Sequence, residues 1–191
     1  MRAIRTPLLL AAIALAMPNV RAVAQVKVTT SAGDVVIFNQ KNLAEHLITV
    51  DSVALETAQL AAKRTQNVAV RDFATMLVTD YTARLAAARK AAAEDDVGRQ
   101  ASASDTAGAV GIRALTNLNS LPADSSFDKE FVREQLRLNQ QEIVTLKMLG
   151  GAAKDDDLKD EIKAALPMHE RHLARAREVA AQLGIVIEPP K

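Results

Sequence analysis

The sequence predicts an all-α protein: an antiparallel four-helix bundle whose one long crossover contains a short helix, with a small β-hairpin ahead of it. Three observations carry that reading. Alanine, leucine and charged residues dominate while aromatics make up 3% of the chain, a composition suited to helices packed on helices. Four stretches repeat their apolar residues at spacings of three and four, the period of a helix with one buried face. The joins between them run short, long and short, so that two helical hairpins are tied by one crossover. An irregular helical array without bundle symmetry is the competing architecture.

Taken in order, the chain opens Met1-Arg2-Ala3-Ile4-Arg5 and then runs apolar from Leu8 to Ala16. Two positive charges ahead of a short apolar stretch form the layout of a secretory signal. The run is shorter than the roughly 20 apolar residues that a membrane span needs. Ala22-Val23-Ala24 places small residues for cleavage before Gln25, with Val20-Arg21-Ala22 as the second choice. Residues 1–24 therefore read as a signal peptide, and the mature chain as periplasmic or otherwise exported. An uncut N-terminal anchor is the alternative.

Cleavage removes Arg2, Arg5 and Arg21 and no acid, so 24 basic against 23 acidic residues becomes 21 against 23, a net charge of about −2. That balance lacks the one-sided basic field of a nucleic-acid partner. Without cysteine there is no lipid attachment, disulfide, thiol chemistry or covalently held haem. The mature chain also lacks a spanning segment.

Residues 25–41 form an N-terminal extension. Val26, Val28 and Thr30 alternate, Ser31-Ala32-Gly33-Asp34 has turn chemistry, and Val35-Val36-Ile37-Phe38 is β-branched and apolar. This hairpin must pack on the bundle or stay mobile, because an isolated pair of strands is marginal in water.

The bundle domain occupies residues 42–184. In the first helix Leu43, Leu47, Val50, Ala54, Thr57 and Ala61 share a face, and Thr65-Gln66-Asn67 ends it. Asn67 suits the N-cap of the second helix, whose buried side carries Val70, Phe73, Ala74, Leu77, Tyr81, Leu85 and Ala88. Residues 97–108 read as a linker, Val110 to Leu118 as the short helix, and Asn119-Ser120-Leu121-Pro122 as its end. Asp124-Ser125-Ser126 caps a third long helix with Phe127, Phe131, Gln135, Leu138, Glu142, Leu146 and Leu149 inward, stopped by Gly150-Gly151. Asp155-Asp156-Asp157 suits the positive end of the fourth helix dipole. Its stripe is Leu158, Ile162, Ala165, His169, His172, Ala176, Val179 and Leu183, with Pro167 inside it, Gly184 after it and residues 185–191 as a tail.

Several segments resemble one family. They are Leu55-Glu56-Thr57-Ala58-Gln59-Leu60-Ala61, Asn67-Val68-Ala69-Val70-Arg71-Asp72-Phe73-Ala74, Met76-Leu77-Val78-Thr79-Asp80, Ser126-Phe127-Asp128-Lys129-Glu130-Phe131, and Leu166-Pro167 with His172-Leu173. Over residues 42–183 they are similar to the exported bacterial proteins designated domain of unknown function, DUF4142, whose members often carry an outer-membrane label. The resemblance implies a ferritin-like four-helix bundle sent to the periplasm, and no established activity. The family tends to place a glutamate on the first helix, an Asp-His pair on the second, and a histidine on each of the third and fourth. Mapped here, these positions hold Glu56, Asp80-Tyr81, Asn139 and His172, so two histidines of the pattern are replaced.

The sharpest local feature is Met168-His169-Glu170-Arg171-His172, in which the two histidines sit three residues apart and share a helix face. With Glu56 and Glu142 from facing helices they could hold a transition metal through mixed nitrogen and oxygen ligands. The competing reading is a hydrogen-bonded polar core in which Asp80, Tyr81 and Asn139 mark a converted site. There the Tyr81 hydroxyl would pair with His172 or Glu56. His46 reads as a surface or rim histidine. Haem held by Met76 and His172 is formally open but lacks aromatic support. No nucleophile with a base, phosphate loop or metalloprotease helix is present, so the enzyme reading has no motif behind it. The expected function is a non-enzymatic binding or envelope-associated module, with a protein partner or self-association. The alternative is a metal-binding or redox protein of ferritin-like type.

Overall fold

In the computed structural model, which describes residues 26–29, 35–38, 40–94, 106–153 and 156–187, the helical periods of the sequence become packed helices. Strands β1 (Val26–Thr29) and β2 (Val35–Phe38) pair antiparallel with Val26 opposite Phe38. Helices α1 (Gln40–Arg64) and α2 (Val68–Glu94) form one hairpin, and α4 (Ser125–Ala152) and α5 (Asp156–Gln182) the other. The short α3 (Ala107–Ser120) lies on α1 and touches α4. The two hairpins meet chiefly through α2 against α5, with α1 contacting both α4 and α5.

The ends form where the side chains dictate. Asn67 Oδ1 accepts from the Val70 N–H at 3.2 Å, and Asp124 accepts from the Ser126 N–H at 2.8 Å, so both predicted caps satisfy a first-turn donor. Gly184 takes φ +65° past the end of α5, a left-handed turn that a Cβ would strain. That turn folds Ile185 back into the core, so the first residue of the expected tail belongs to the packed domain.

Two boundaries differ from expectation. The linker expected over residues 97–108 stops earlier, because α3 begins at Ala107, and α3 runs on to Ser120. Gly150 and Gly151 do not end α4, which continues to Ala152 and closes with the Ala153 N–H on the Leu149 carbonyl at 2.8 Å. Both glycines keep helical backbone, without the left-handed turn that a glycine stop requires. The signal segment 1–24, the turn 31–34, residues 95–105 and the end of the tail lie outside the described residues.

All six predicted stripe residues of α1 are buried, as are all those of α2 except the half-buried Ala88. On α4 only Leu138 of the stripe is half-buried, and on α5 Leu183, with the burial of Leu158 outside the description. The apolar interior divides into two clusters. The larger gathers Phe73, Leu77, Tyr81, Phe127, Phe131 and Val179 with their neighbours. The smaller gathers Phe38, Leu43, Leu47, Leu146, Leu149, Ile162 and Ala165, so β2 lends its last residue to the bundle. The hairpin therefore packs on the bundle. Along α1, α4 and α5, buried polar residues lie where one cluster gives way to the other.

A buried polar belt

Between the clusters each of the four long helices turns a polar side chain inward. Asp51 comes from α1, Tyr81 and Arg84 from α2, Asn139 and Glu142 from α4, and His169 and His172 from α5. Asp51, Tyr81, Asn139, Glu142, His169 and His172 are all buried. Their placement follows from helix phase. Asp51 falls four residues after Leu47 and three before Ala54, in the middle of the apolar stripe. Arg84 follows Tyr81 by three, and His169 and His172 continue the Ile162–Ala165 stripe.

The Arg84 Nε–H donates to Asp51 Oδ2 at 2.6 Å, tying α2 to α1. Burial pushes the Asp51 carboxyl up to about 6, against the charge and hydrogen bond of Arg84, which pull it down. The Asn139 amide donates from Nδ2 to the Gln135 carbonyl at 2.8 Å, which fixes its Oδ1 as an acceptor. His169 Nδ1, 3.0 Å from that oxygen, must therefore carry the proton and donate. Burial lowers the His169 pKa to about 4, so the ring is neutral and its Nε2 is a bare lone pair. That Nε2 faces Asp51 Oδ1 at 4.0 Å, and neither atom has a hydrogen-bond partner.

His172 is locked in the same way from the other side. Its Nε2–H donates to Asp80 Oδ2 at 2.9 Å, while Nδ1 is buried without a partner. Burial holds the ring below its usual pKa, against the pull of the Asp80 charge. Asp80 also accepts from Arg171 at 2.8 Å. Burial raises its pKa, but the hydrogen bonds and charges of Arg171 and His172 together keep it below the usual carboxylate range. The His172 ring packs edge-on against Tyr81 at 4.9 Å. The Tyr81 hydroxyl has no partner of proper geometry; desolvation, then the Asp51 charge, raises its pKa well above the ordinary value. At the belt's edge the His46 Nε2–H donates to Glu142 Oε2 at 3.2 Å, and the ring stands edge-on to Phe38 at 5.2 Å.

The proposed ligand set does not assemble. Glu56 is exposed, because it precedes Thr57 by one residue and so lies off the Ala54–Thr57–Ala58–Ala61 stripe. It reaches neither the histidines nor Tyr81. Glu142 is buried as expected, but it is bonded to His46, which is an interior residue and not a rim one. His169 and His172 stand with ring centroids 6.3 Å apart. Among the described residues no three of His, Asp and Glu converge as a metal site. Met76 is half-buried against the larger cluster, and the His172 Nε2 is held by Asp80. Asn139 and Tyr81 are in the polar core as expected, with Asp80 at its half-buried margin.

Sequence reasoning passes over Asp51 and Arg84. Asp51 carried a readable signal, a carboxylate inside an apolar stripe. Arg84 carried little, because a long side chain beside Leu85 reads equally well as solvated.

Fold and belt together define an all-helical bundle with a charged, hydrogen-bonded layer through its interior. The chain belongs to the family described as Domain of unknown function (DUF4142), whose model matches residues 26–179. Neither a curated protein nor a solved structure matches the chain.

Proposed function

We propose that this is an exported, non-enzymatic helical bundle that works as a binding or envelope-associated module. One observation supports this reading most: each acid and histidine of the belt has at least one partner within the protein itself. Asp51 meets Arg84, Glu142 meets His46, Asp80 meets Arg171 and His172, and His169 meets Asn139. A belt organised this way holds helices in register and leaves recognition to the outer surface. That surface includes Val144 and Met148, exposed one turn apart on α4. No helix among the described residues is long and apolar enough to cross a membrane.

The test is crosslinking in intact cells followed by native mass spectrometry of the mature protein recovered from the periplasm. A stoichiometric complex, with a partner or with a second copy, is the expected result. An inert monomer released to the soluble fraction without salt or detergent would overturn the proposal. The alternative, a metal-binding or redox protein of ferritin-like type, lacks its carboxylates here but keeps two bare ring nitrogens. Elemental analysis of untagged protein decides it, with loss of metal in His169→Ala/His172→Ala as its required outcome.

A further inference from the structure

We infer that Asp51 Oδ1 and His169 Nε2 bind one small neutral guest that donates two hydrogen bonds, a water molecule, at the point where the bundle would otherwise invite a metal ion. Both atoms are acceptors: Asp51 Oδ2 is taken by Arg84, and the Asn139 amide fixes the His169 proton on Nδ1. Two acceptors facing each other across 4.0 Å, both buried and unpartnered, leave their desolvation uncompensated unless something donates to both.

Geometry selects the guest. A donor about 2.7 Å from each atom, with those atoms 4.0 Å apart, sees them at an angle of about 95°. That is close to the angle between the two O–H bonds of water. A metal ion about 2.1 Å from each would see the same 4.0 Å pair at about 145°, far from a tetrahedral angle. The ion would also sit beside the Arg84 guanidinium, and no third His, Asp or Glu converges on it among the described residues. Buried waters commonly make about three hydrogen bonds. Tyr81 is the candidate for a further one, since its hydroxyl is the one donor among the unpartnered buried side-chain atoms described and its neighbours include Asn139, which holds His169. The guest would then join α1, α2 and α5 at one point, with Asn139 of α4 holding the histidine from behind.

A crystal structure of the full mature protein at better than about 1.2 Å, with anomalous data at the zinc and iron edges, tests this. The expected result is one density peak about 2.6–3.0 Å from both Asp51 Oδ1 and His169 Nε2, with no anomalous signal and no stoichiometric metal on elemental analysis. The Tyr81→Phe variant should keep the peak with raised mobility or reduced occupancy. An anomalous peak between the two side chains would overturn the inference in favour of a metal. Direct contact between them, with no density in the gap, would overturn it in favour of a closed core.

Discussion

Asp51 and His169 are displaced from their ordinary titration ranges in opposite directions, and the consequence for stability is specific. The Asp51 carboxyl is raised from 3.8 to about 6 in the folded chain, so its contribution is fully present below 3.8 and lost as pH rises through about 6. The His169 ring is lowered from 6.5 to about 4, so its contribution is present above 6.5 and lost as pH falls through about 4. Each displacement corresponds to roughly 3 kcal/mol, because one pH unit is about 1.4 kcal/mol. The two oppose each other over the same window. The Asp51→Asn variant should lose stability relative to wild type on going from pH 6.5 to 4, by about 2–3 kcal/mol, because the histidine is left uncompensated. His169→Gln should show the reverse slope. Urea denaturation at half-unit pH intervals, read as the difference from wild type, checks both signs. Parallel curves would mean that neither group changes protonation in this window. The single residues also show where reading the sequence stops. Asn139, Tyr81 and both fourth-helix histidines were legible from position and pattern. Glu56 was misplaced because a family position outweighed its helix phase. Asp51 went unread because a lone acid is usually solvated, and its neutraliser Arg84 lies 33 residues away.

At the scale of elements, α3 was the hardest to read, since its boundaries depend on contacts and not on period. Gly111 is buried against α1, where an added Cβ would stand 2.3 Å from Val53 Cγ1. Alanine has the better helix propensity by about 1 kcal/mol, yet the clash should dominate. Gly111→Ala is expected to destabilise the protein by about 1–3 kcal/mol, and Val53→Ala in the same chain should recover most of the loss. A double-mutant cycle in urea measures this, and simple additivity would mean that α3 does not dock on α1 at Gly111. The far end of α3 is held by Arg64. Its guanidinium donates to the Leu118 carbonyl at 3.1 Å and also to the Leu121 carbonyl, and it lies 4.8 Å over the Phe127 ring. The Leu118 carbonyl, in the last turn of α3, also accepts from the Leu121 N–H at 3.4 Å, and Leu121 is the residue just past the helix end. Arg64→Ala should cost about 2 kcal/mol. Arg64→Lys should restore only a small part, because one ammonium cannot reproduce the planar fork. Thermal melts of the three proteins distinguish this from a nonspecific charge effect, in which lysine would restore stability fully.

At the scale of the molecule, the belt divides the bundle into two apolar clusters, and the hairpin closes the smaller one. The four long helices and their order were legible because each carries a continuous stripe, and stripes survive any error in their ends. Whether the hairpin packs was not legible, since the alternation in residues 25–38 specifies strands without specifying what they rest on. Phe38 is the residue that decides it: 2% exposed, it joins Leu43, Leu47, Leu146 and Leu149 and covers the His46 ring. Truncating a buried phenylalanine removes about 3–5 kcal/mol, so Phe38→Ala should produce a large loss. The loss should also be local. Amides of α1 and α4 beside Leu43, Leu47, Leu146 and Leu149 should exchange faster, while those around Phe73, Phe127 and Phe131, across the belt, should keep their protection. Native-state hydrogen exchange resolves the two ends. Uniform acceleration would show that the belt transmits the disturbance and the bundle opens as one unit. Acceleration confined to the hairpin end would show that the buried ion pairs and hydrogen bonds divide the bundle into two regions of separate stability. Such a bundle could then rearrange at one end without unfolding the other.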